Sequence, residues 1–588
     1  KKNMRLLAAC LFVAGSTGLA QAARVVYDWD ITYATANPDG LFERQVVGVN
    51  GVWPPPPVEC NEDDTLVINV NNKLNINTAL HTHGMFQNNT GYMDGPVGVT
   101  QCPIAPGEKF TYEFVVAQHG SYWIHSHFMG QYMDGLRTPF VVHAKNETYK
   151  YDHDVTIPFQ DWYHKQSEEN LAIFLNEDNP TGAEPVPESG FIFNNVNDTL
   201  SFEAGKTYRL RLINMSGFSM FFFSIDGHEM DIIEVDGIDV ARQTTKAVSL
   251  TAAQRVSVLV TAKNTTDVNY YMHADMNIDM FDIVPDDLKV NLTIPLLYNN
   301  NSATKFAESE DLGMDGEFDD FPLVPLEVQH AVPFDHQVNL TFAFEVTTNG
   351  INRGMFNELP YLSPKVPSLN TLLTQGNYSL SEEVYGPQTQ AFVLKHLDMV
   401  EIVLNNLDAG AHPFHLHGHV FQLVGRGDGV YSGDDSVVEW HLDNPARRDT
   451  IQVPEESFVL LRFRADNPGV WFFHCHIEWH LESGLAATFI EAPDVAQQRM
   501  KLPEQFENTC KAVGMEYNGN AAGKQGLDLE GAPSGVYLLY DGFTAAGKGA
   551  MAGCCLAALL GMLAIVAYSQ VDPLKEARAI AEAKAAKL

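Results

Sequence analysis

The chain has 588 residues, 45% of them hydrophobic and 11% aromatic, which suits several packed domains rather than one. Its formal net charge of −37, from 37 Lys and Arg against 74 Asp and Glu, argues against a nucleic-acid partner, because phosphate binding needs clustered cations. An acidic surface of this kind keeps the chain soluble and attracts cations.

The first residues read as a secretory signal over 1–22. Lys1, Lys2 and Arg5 precede an apolar stretch from Leu6 to Ala14, and Ala20-Gln21-Ala22 is a small-residue cleavage site. Asn-x-Ser/Thr triplets headed by Asn88, Asn146, Asn197, Asn214, Asn264, Asn291, Asn300, Asn339 and Asn377 agree with a glycosylated protein of the secretory pathway. Short strands are expected at 65–70, 109–116, 208–213, 256–261, 400–404 and 458–463, with Pro-Gly pairs at 106–107 and 468–469. Such strands without long amphipathic helices indicate an all-β chain of sandwiches or barrels. The acidic stretch from Glu308 to Asp320 reads as a connecting loop.

Four motifs carry the chemistry: His81-Thr82-His83-Gly84, His125-Ser126-His127, His412-Pro413-Phe414-His415-Leu416-His417, and His474-Cys475-His476 with His480 following. Residues two apart on a strand share a face, so each His-x-His offers two imidazoles to one side. The first motif echoes the third and the second echoes the fourth, so the first and last thirds look like diverged copies of one domain. In an extended His-Cys-His, Cys475 faces away from its two neighbours, and one strand serves two metal sites. A thiolate with two histidines suits a blue-copper site. Structural zinc would use four ligands, and this set has eleven.

After about 495 the chain turns rich in Gly, Ala and Asn and reads as a stalk over 498–549. An uncharged apolar run follows from Ala550 to Tyr568 (the expected transmembrane helix, 550–568), long enough for a hydrocarbon core of about 30 Å. Lys575, Arg578, Lys584 and Lys587 lie beyond it, so residues 569–588 are expected in the cytoplasm and the topology is type I. Cys10 belongs to the signal, and Cys554 and Cys555 to the apolar run. Cys60, Cys102, Cys475 and Cys510 remain, and if Cys475 binds metal one of the other three is odd.

These motifs resemble those of the multicopper oxidases over about residues 24 to 500. The resemblance implies three cupredoxin-like Greek-key β-sandwich domains at 23–147, 148–295 and, with a linker, 296–497. The active site then lies between the first and third. It implies four copper ions: a type 1 ion on His412, Cys475 and His480, a type 2 ion on His81 and His415, and a type 3 pair. One type 3 ion takes His83, His125 and His476, and the other His127, His417 and His474. The axial Met common in the family is replaced by Leu485, which implies a three-coordinate site of raised potential. His419 has no matching role and reads as structural. Asp94 and Glu478 match acids near the trinuclear cluster, where dioxygen reduction consumes protons. Cys102 and Cys510 match positions joined in related laccases, and Cys60 has no assigned partner.

Within the family, the membrane run and the wording of the third and fourth motifs are similar to the fungal membrane-anchored ferroxidases, which work with a high-affinity iron permease. Glu184, Asp282 and Asp408 match the carboxylates that group places around the blue copper. The implied reaction takes one electron from each of four Fe(II) and reduces O2 to two waters at the outer face of the plasma membrane, with the vacuolar membrane as the other location. Two rivals are a laccase-like phenol oxidase, marked by a hydrophobic pocket in place of the three acids, and a copper-free wall protein, marked by lost ligands. No ligand is missing.

Overall fold

The computed structural model describes residues 22–299, 301, 304–309, 318–538, 545–570 and 572–587. The expected signal, apart from Ala22, lies outside them, as do Asn300 and the middle of the acidic stretch. All six expected strands are present, as Thr65–Asn72, Lys109–Val115, Thr207–Asn214, Arg255–Thr261, Met399–Asn406 and Ser457–Arg464. They alternate or run apolar because one or both faces are buried between sheets.

Three two-sheet layers succeed one another along the chain. The first pairs a sheet holding Arg24–Ala36 and Thr65–Asn72 with one holding Leu80–His83 and Gly120–Ser126. The second is built from two sheets between His153 and Phe306, and the third from two between His336 and Glu491. The echo between the outer thirds is a structural one. Leu80–His83 lies antiparallel to Gly120–Ser126 with His81 opposite His125, and His412–Leu416 lies antiparallel to Gly469–Cys475 with His415 opposite His474. Cross-strand partners this close put two motifs on one sheet face.

Two sequence expectations are corrected. The segment from 498 is not a free stalk as far as Leu538, because one compact unit ends there and a second begins at Leu539. Helix Glu504–Val513 buries Phe506 and Cys510, four residues apart and so on one helix face. Cys510 is disulfide-bonded to Cys102, and the Gln505 amide both accepts from Thr111 N–H and donates to Thr111 C=O. The Asn-Gly composition that suggested looseness builds tight turns instead, with buried Asn520 donating to the carbonyls of Gly526 and Asp528. The second correction is Asn214. It is fully buried and its amide donates to Ser219 and Leu250 carbonyls, so this triplet accepts no glycan in the folded chain.

In the C-terminal unit, helix Ala545–Ser569 includes Gly547–Ser569, which is long and apolar enough to cross a membrane. A second helix, Pro573–Ala585, carries Lys575, Arg578 and Lys584.

Candidate metal centre

Along strand Gly469–Cys475 the side chains alternate. Trp471, Phe473 and Cys475 join one core cluster, while Phe472 joins another and His474 turns toward the other histidines. Cys475 Sγ lies 3.9 Å from His412 Nδ1 and 3.4 Å from His480 Nδ1, and the two Nδ1 atoms are 3.1 Å apart. The outer nitrogens are engaged elsewhere: His412 Nε2 donates to Asp408 Oδ2 at 3.0 Å, and His480 Nε2 to Glu184 Oε1 at 2.7 Å. With hydrogens on Nε2, both Nδ1 atoms present lone pairs to each other and to the sulfur. Three buried donors aimed at one point repel unless a cation sits among them. Burial alone pushes the Cys475 thiol up and the His412 imidazole down, so a metal is the partner that offsets both.

Eight further histidines converge between the first and third domains. The Nδ1 atoms of His81, His125, His415 and His474 donate to the carbonyls of Asp94, Ser126, Asp449 and Cys475 at 2.7, 2.9, 2.9 and 2.8 Å. That leaves Nε2 of His81, His125, His127 and His415 buried without a hydrogen-bond partner. His417 donates from Nδ1 to Asp94 Oδ2 at 2.8 Å, and its Nε2 faces His474 Nε2 at 3.1 Å. His83 is reversed: its Nδ1 is the orphan, and its Nε2 is 3.4 Å from Asp449 Oδ1. Neither nitrogen of His476 has a partner. Burial first, then the neighbouring imidazoles, holds His83, His125, His127, His417, His474 and His476 well below the ordinary value, hence neutral and able to ligate.

Ligating atoms lie within 4.8 Å of one another in His412/Cys475/His480, His127/His417/His474, His81/His415/His417 and His81/His83/His125. His476 stands with its ring centroid 5.0 Å from His83 and 5.6 Å from His125. This is a donor set for several ions, one of them with a thiolate.

Comparison with known proteins agrees. Multicopper oxidase domains match residues 30–147, 153–297 and 361–495. The chain is 44% identical to the iron multicopper oxidase fer1 of Mycosarcoma maydis, over 93% of each chain. The chain belongs to the multicopper oxidase family. It is also 43% identical to the iron transport multicopper oxidase FET3 of Candida albicans, over 92% of this chain and 88% of that one. The crystal structure of Fet3p, a multicopper oxidase that functions in iron import, superposes with a TM-score of 0.84 at 38% identity, covering 88% of this chain and 99% of that one. A laccase from Botrytis aclada follows with a TM-score of 0.74 at 30% identity, covering 84% and 92%.

In this multicopper oxidase the thiolate site opens onto a cavity of about 620 Å³ lined by Glu184, Asp282 and Asp408, with His412 and His480 at its floor. The sequence expectation named those three acids; Asp279 and Glu455 also line the cavity. Burial, then Glu184 and Asp408, pushes the Asp282 carboxyl up, so the acids sense one another. Asp408 goes the other way: burial opposes it, but the His412 hydrogen bond and charge bring it below the usual range. Leu485 is fully buried beside the site, its carbonyl accepting the Cys475 N–H at 3.1 Å, and its side chain has no donor atom.

On the other side, a cavity of about 260 Å³ reaches His125, His127, His474 and His476 and is lined by Glu478 and Glu482. Burial raises the Glu478 carboxyl well above the ordinary value, and Glu482 is pushed up to about 7. Glu482 was missed, although it lies one helical turn after Glu478 and shares its face. Asp94 touches His417 through its side chain and His81 through its carbonyl. Asp449 was missed because nothing in its local sequence points to the histidines it meets. His419, expected to be structural, is buried against Glu491 at 2.9 Å. Cys60 is a buried free thiol.

Proposed function

We propose that the chain is a membrane-anchored ferroxidase that takes electrons from Fe(II) at the His412/Cys475/His480 site and delivers them to dioxygen at the eight-histidine cluster. One observation carries the reading: the two imidazoles of the thiolate site each hydrogen-bond a carboxylate that lines an open, acidic cavity. When bound, copper supplies one-electron acceptance at the thiolate site and four-electron reduction of O2 to two waters at a three-ion cluster. The protein does the rest. Hard carboxylate oxygens at Glu184, Asp282 and Asp408 capture Fe(II) and favour Fe(III) more strongly, because their attraction scales with the ion's charge. The same Glu184 and Asp408 contacts join the iron position to His480 and His412, so capture and electron exit share two hydrogen bonds.

His81 and His415 are assigned to a type 2 ion. His83, His125 and His476 take one type 3 ion, and His127, His417 and His474 the other. Cys475 and His474 are adjacent in the chain, so the path between sites is a few bonds. Asp94 and Glu478 serve as the acids that relay protons to the cluster. Helix Ala545–Ser569 anchors the oxidase in the plasma membrane with the catalytic unit outside, where a permease takes up the Fe(III) it releases.

The deciding experiment is steady-state oxidation of Fe(II) and of a phenol by the purified ectodomain. A ferroxidase shows a kcat/KM for Fe(II) far above that for the phenol, whereas the reverse order makes the chain a laccase.

A further inference from the structure

We propose that Arg255, from the domain that holds none of the assigned copper ligands, is a positioning residue for the eight-histidine cluster and acts through Asp449. The proposal rests on the copper reading above. Arg255 is fully buried on strand Arg255–Thr261 and forks onto the Asp449 carboxylate, Nη1 to Oδ1 at 2.7 Å and Nη2 to Oδ2. Its Nε donates to Ser121 C=O at 3.0 Å, on the strand that carries His125, and its guanidinium lies 5.5 Å from the Tyr122 ring centroid. Three hydrogen bonds from one rigid planar group thus tie a first-domain strand to a third-domain carboxylate.

Asp449 decides the orientation of two histidines. Its carbonyl accepts from His415 Nδ1 at 2.9 Å, and its Oδ1 lies 3.4 Å from His83 Nε2. His81, His125, His415, His417 and His474 each place a hydrogen-bonded Nδ1 away from the cavity, but His83 does the opposite. The carboxylate, together with the Thr450 hydroxyl it holds 3.4 Å from the same nitrogen, gives His83 Nε2 its acceptors and lets Nδ1 turn inward. Thr450 braces the same oxygen, donating to Asp449 Oδ1 at 2.8 Å, and Gln254 of the middle domain donates to Thr450 C=O at 3.1 Å.

The His-Thr-His-Gly motif bears the mark of this clamp. At Gly84, where φ is +88°, a Cβ would stand 2.7 Å from Arg255 Nη2 and 2.9 Å from Asp449 Oδ2. Glycine follows the second histidine because the arginine from the middle domain passes there. Without the fork, Asp449 is free to turn; His83 loses an acceptor, and His415, the type 2 ligand whose Nδ1 lies 2.9 Å from the Asp449 carbonyl and 3.5 Å from its Oδ1, loses its register.

The test compares Arg255→Lys with Arg448→Lys in the copper-loaded ectodomain. Lysine keeps the charge but cannot fork. Arg448 makes a similar buried bridge between the domains, to Asp236 at 2.9 and 3.1 Å, yet touches no histidine. For Arg255→Lys we expect the blue band at full intensity, copper falling from four to about three per chain, and the type 2 electron paramagnetic resonance signal lost or changed in hyperfine splitting. Arg448→Lys should keep all four coppers and an unchanged signal. An Arg255→Lys protein with full copper and an unaltered type 2 signal overturns the proposal, as does equal loss in Arg448→Lys, which marks a general domain-packing role. If Arg255→Lys does not fold, Asp449→Asn keeps the shape of the group and removes the charge that the fork grips. A changed type 2 signal there supports the clamp and an unchanged one overturns it. Absence of copper from the unsubstituted protein would instead refute the reading on which the clamp rests.

Discussion

The two clusters share imidazole ligands, one of them adding a thiolate, and differ in what stands behind the imidazoles. At the thiolate site the outer imidazole nitrogens face carboxylates at the floor of an open cavity, so the ligands' second hydrogen bonds point at solvent and substrate. At the eight-histidine site they face mainly main-chain carbonyls and buried Asp94 and Asp449, in the seam between domains. Backbone carbonyls cannot be altered by a single substitution; the carboxylates can. Substrate choice is therefore adjustable at one cluster without disturbing the other, and each prediction below tests that separation.

The largest effect is expected at Cys475, which belongs to the thiolate site and is the chain neighbour of His474 and His476 in the other cluster. Cys475→Ser should abolish the intense blue absorption and all oxidase turnover, because it removes the thiolate and the short path to His474, while most of the remaining copper stays bound. Copper analysis and visible spectra check this together. A full blue spectrum would break the assignment.

Next come the two carboxylates bonded to ligand imidazoles. Glu184→Ala and Asp408→Ala should each lower kcat/KM for Fe(II) by at least about tenfold, which is about 1.4 kcal/mol at the barrier. The blue band should persist, and phenol turnover should hold or rise, since a phenol needs neither charge. Parallel loss of both substrates would mean that the thiolate site and the eight-histidine site are not separable.

How much of this was legible in the sequence follows from range. The four motifs could be read because strand periodicity makes His-x-His a local statement about one face, and the outer two domains repeat it. Cys102 and Cys510 matched a family pattern across 408 residues, and the structure joins them. Arg255 and Asp449 could not be read: they lie 194 residues apart, on different domains, and neither sits in a metal-binding spacing. The segment after 498 misled because Gly and Asn serve flexible linkers and tight buried turns alike. Asn214 misled because a triplet motif carries no information on burial.

A smaller effect is expected at Leu485. Leu485→Met would place a thioether beside the thiolate site and lower its potential, since a weak axial ligand favours the oxidised ion. Fe(II) turnover should fall by about threefold, or roughly 0.65 kcal/mol at the barrier, together with a shifted blue band. Redox titration checks the potential. The type 2 signal of the eight-histidine cluster should not move, and a change there would show the two sites to be coupled through packing.

The smallest effect belongs to Asp282, which touches neither imidazole. Its carboxyl is held above the ordinary value by burial and by the charges of Glu184 and Asp408. A raised carboxyl binds its proton more tightly folded than unfolded, so its contribution to stability is fully present below the unfolded value near 3.8 and is lost as pH rises through the folded one. At neutral pH the ionised group therefore opposes folding slightly, and Fe(II) is the charge that offsets it. Asp282→Asn should melt marginally higher than the parent at pH 7, with the gap closing as the pH falls into the carboxylate range. Its KM for Fe(II) should rise by about twofold with kcat little changed, because the lost charge served capture and not electron exit. The parent's KM should climb toward acid pH as Asp282 takes up its proton, and the variant's should climb less. Thermal unfolding and Fe(II) kinetics from pH 4.5 to 7 measure both. A fall in kcat equal to that of Glu184→Ala would place Asp282 on the electron path, and an unchanged KM would leave it outside the iron site.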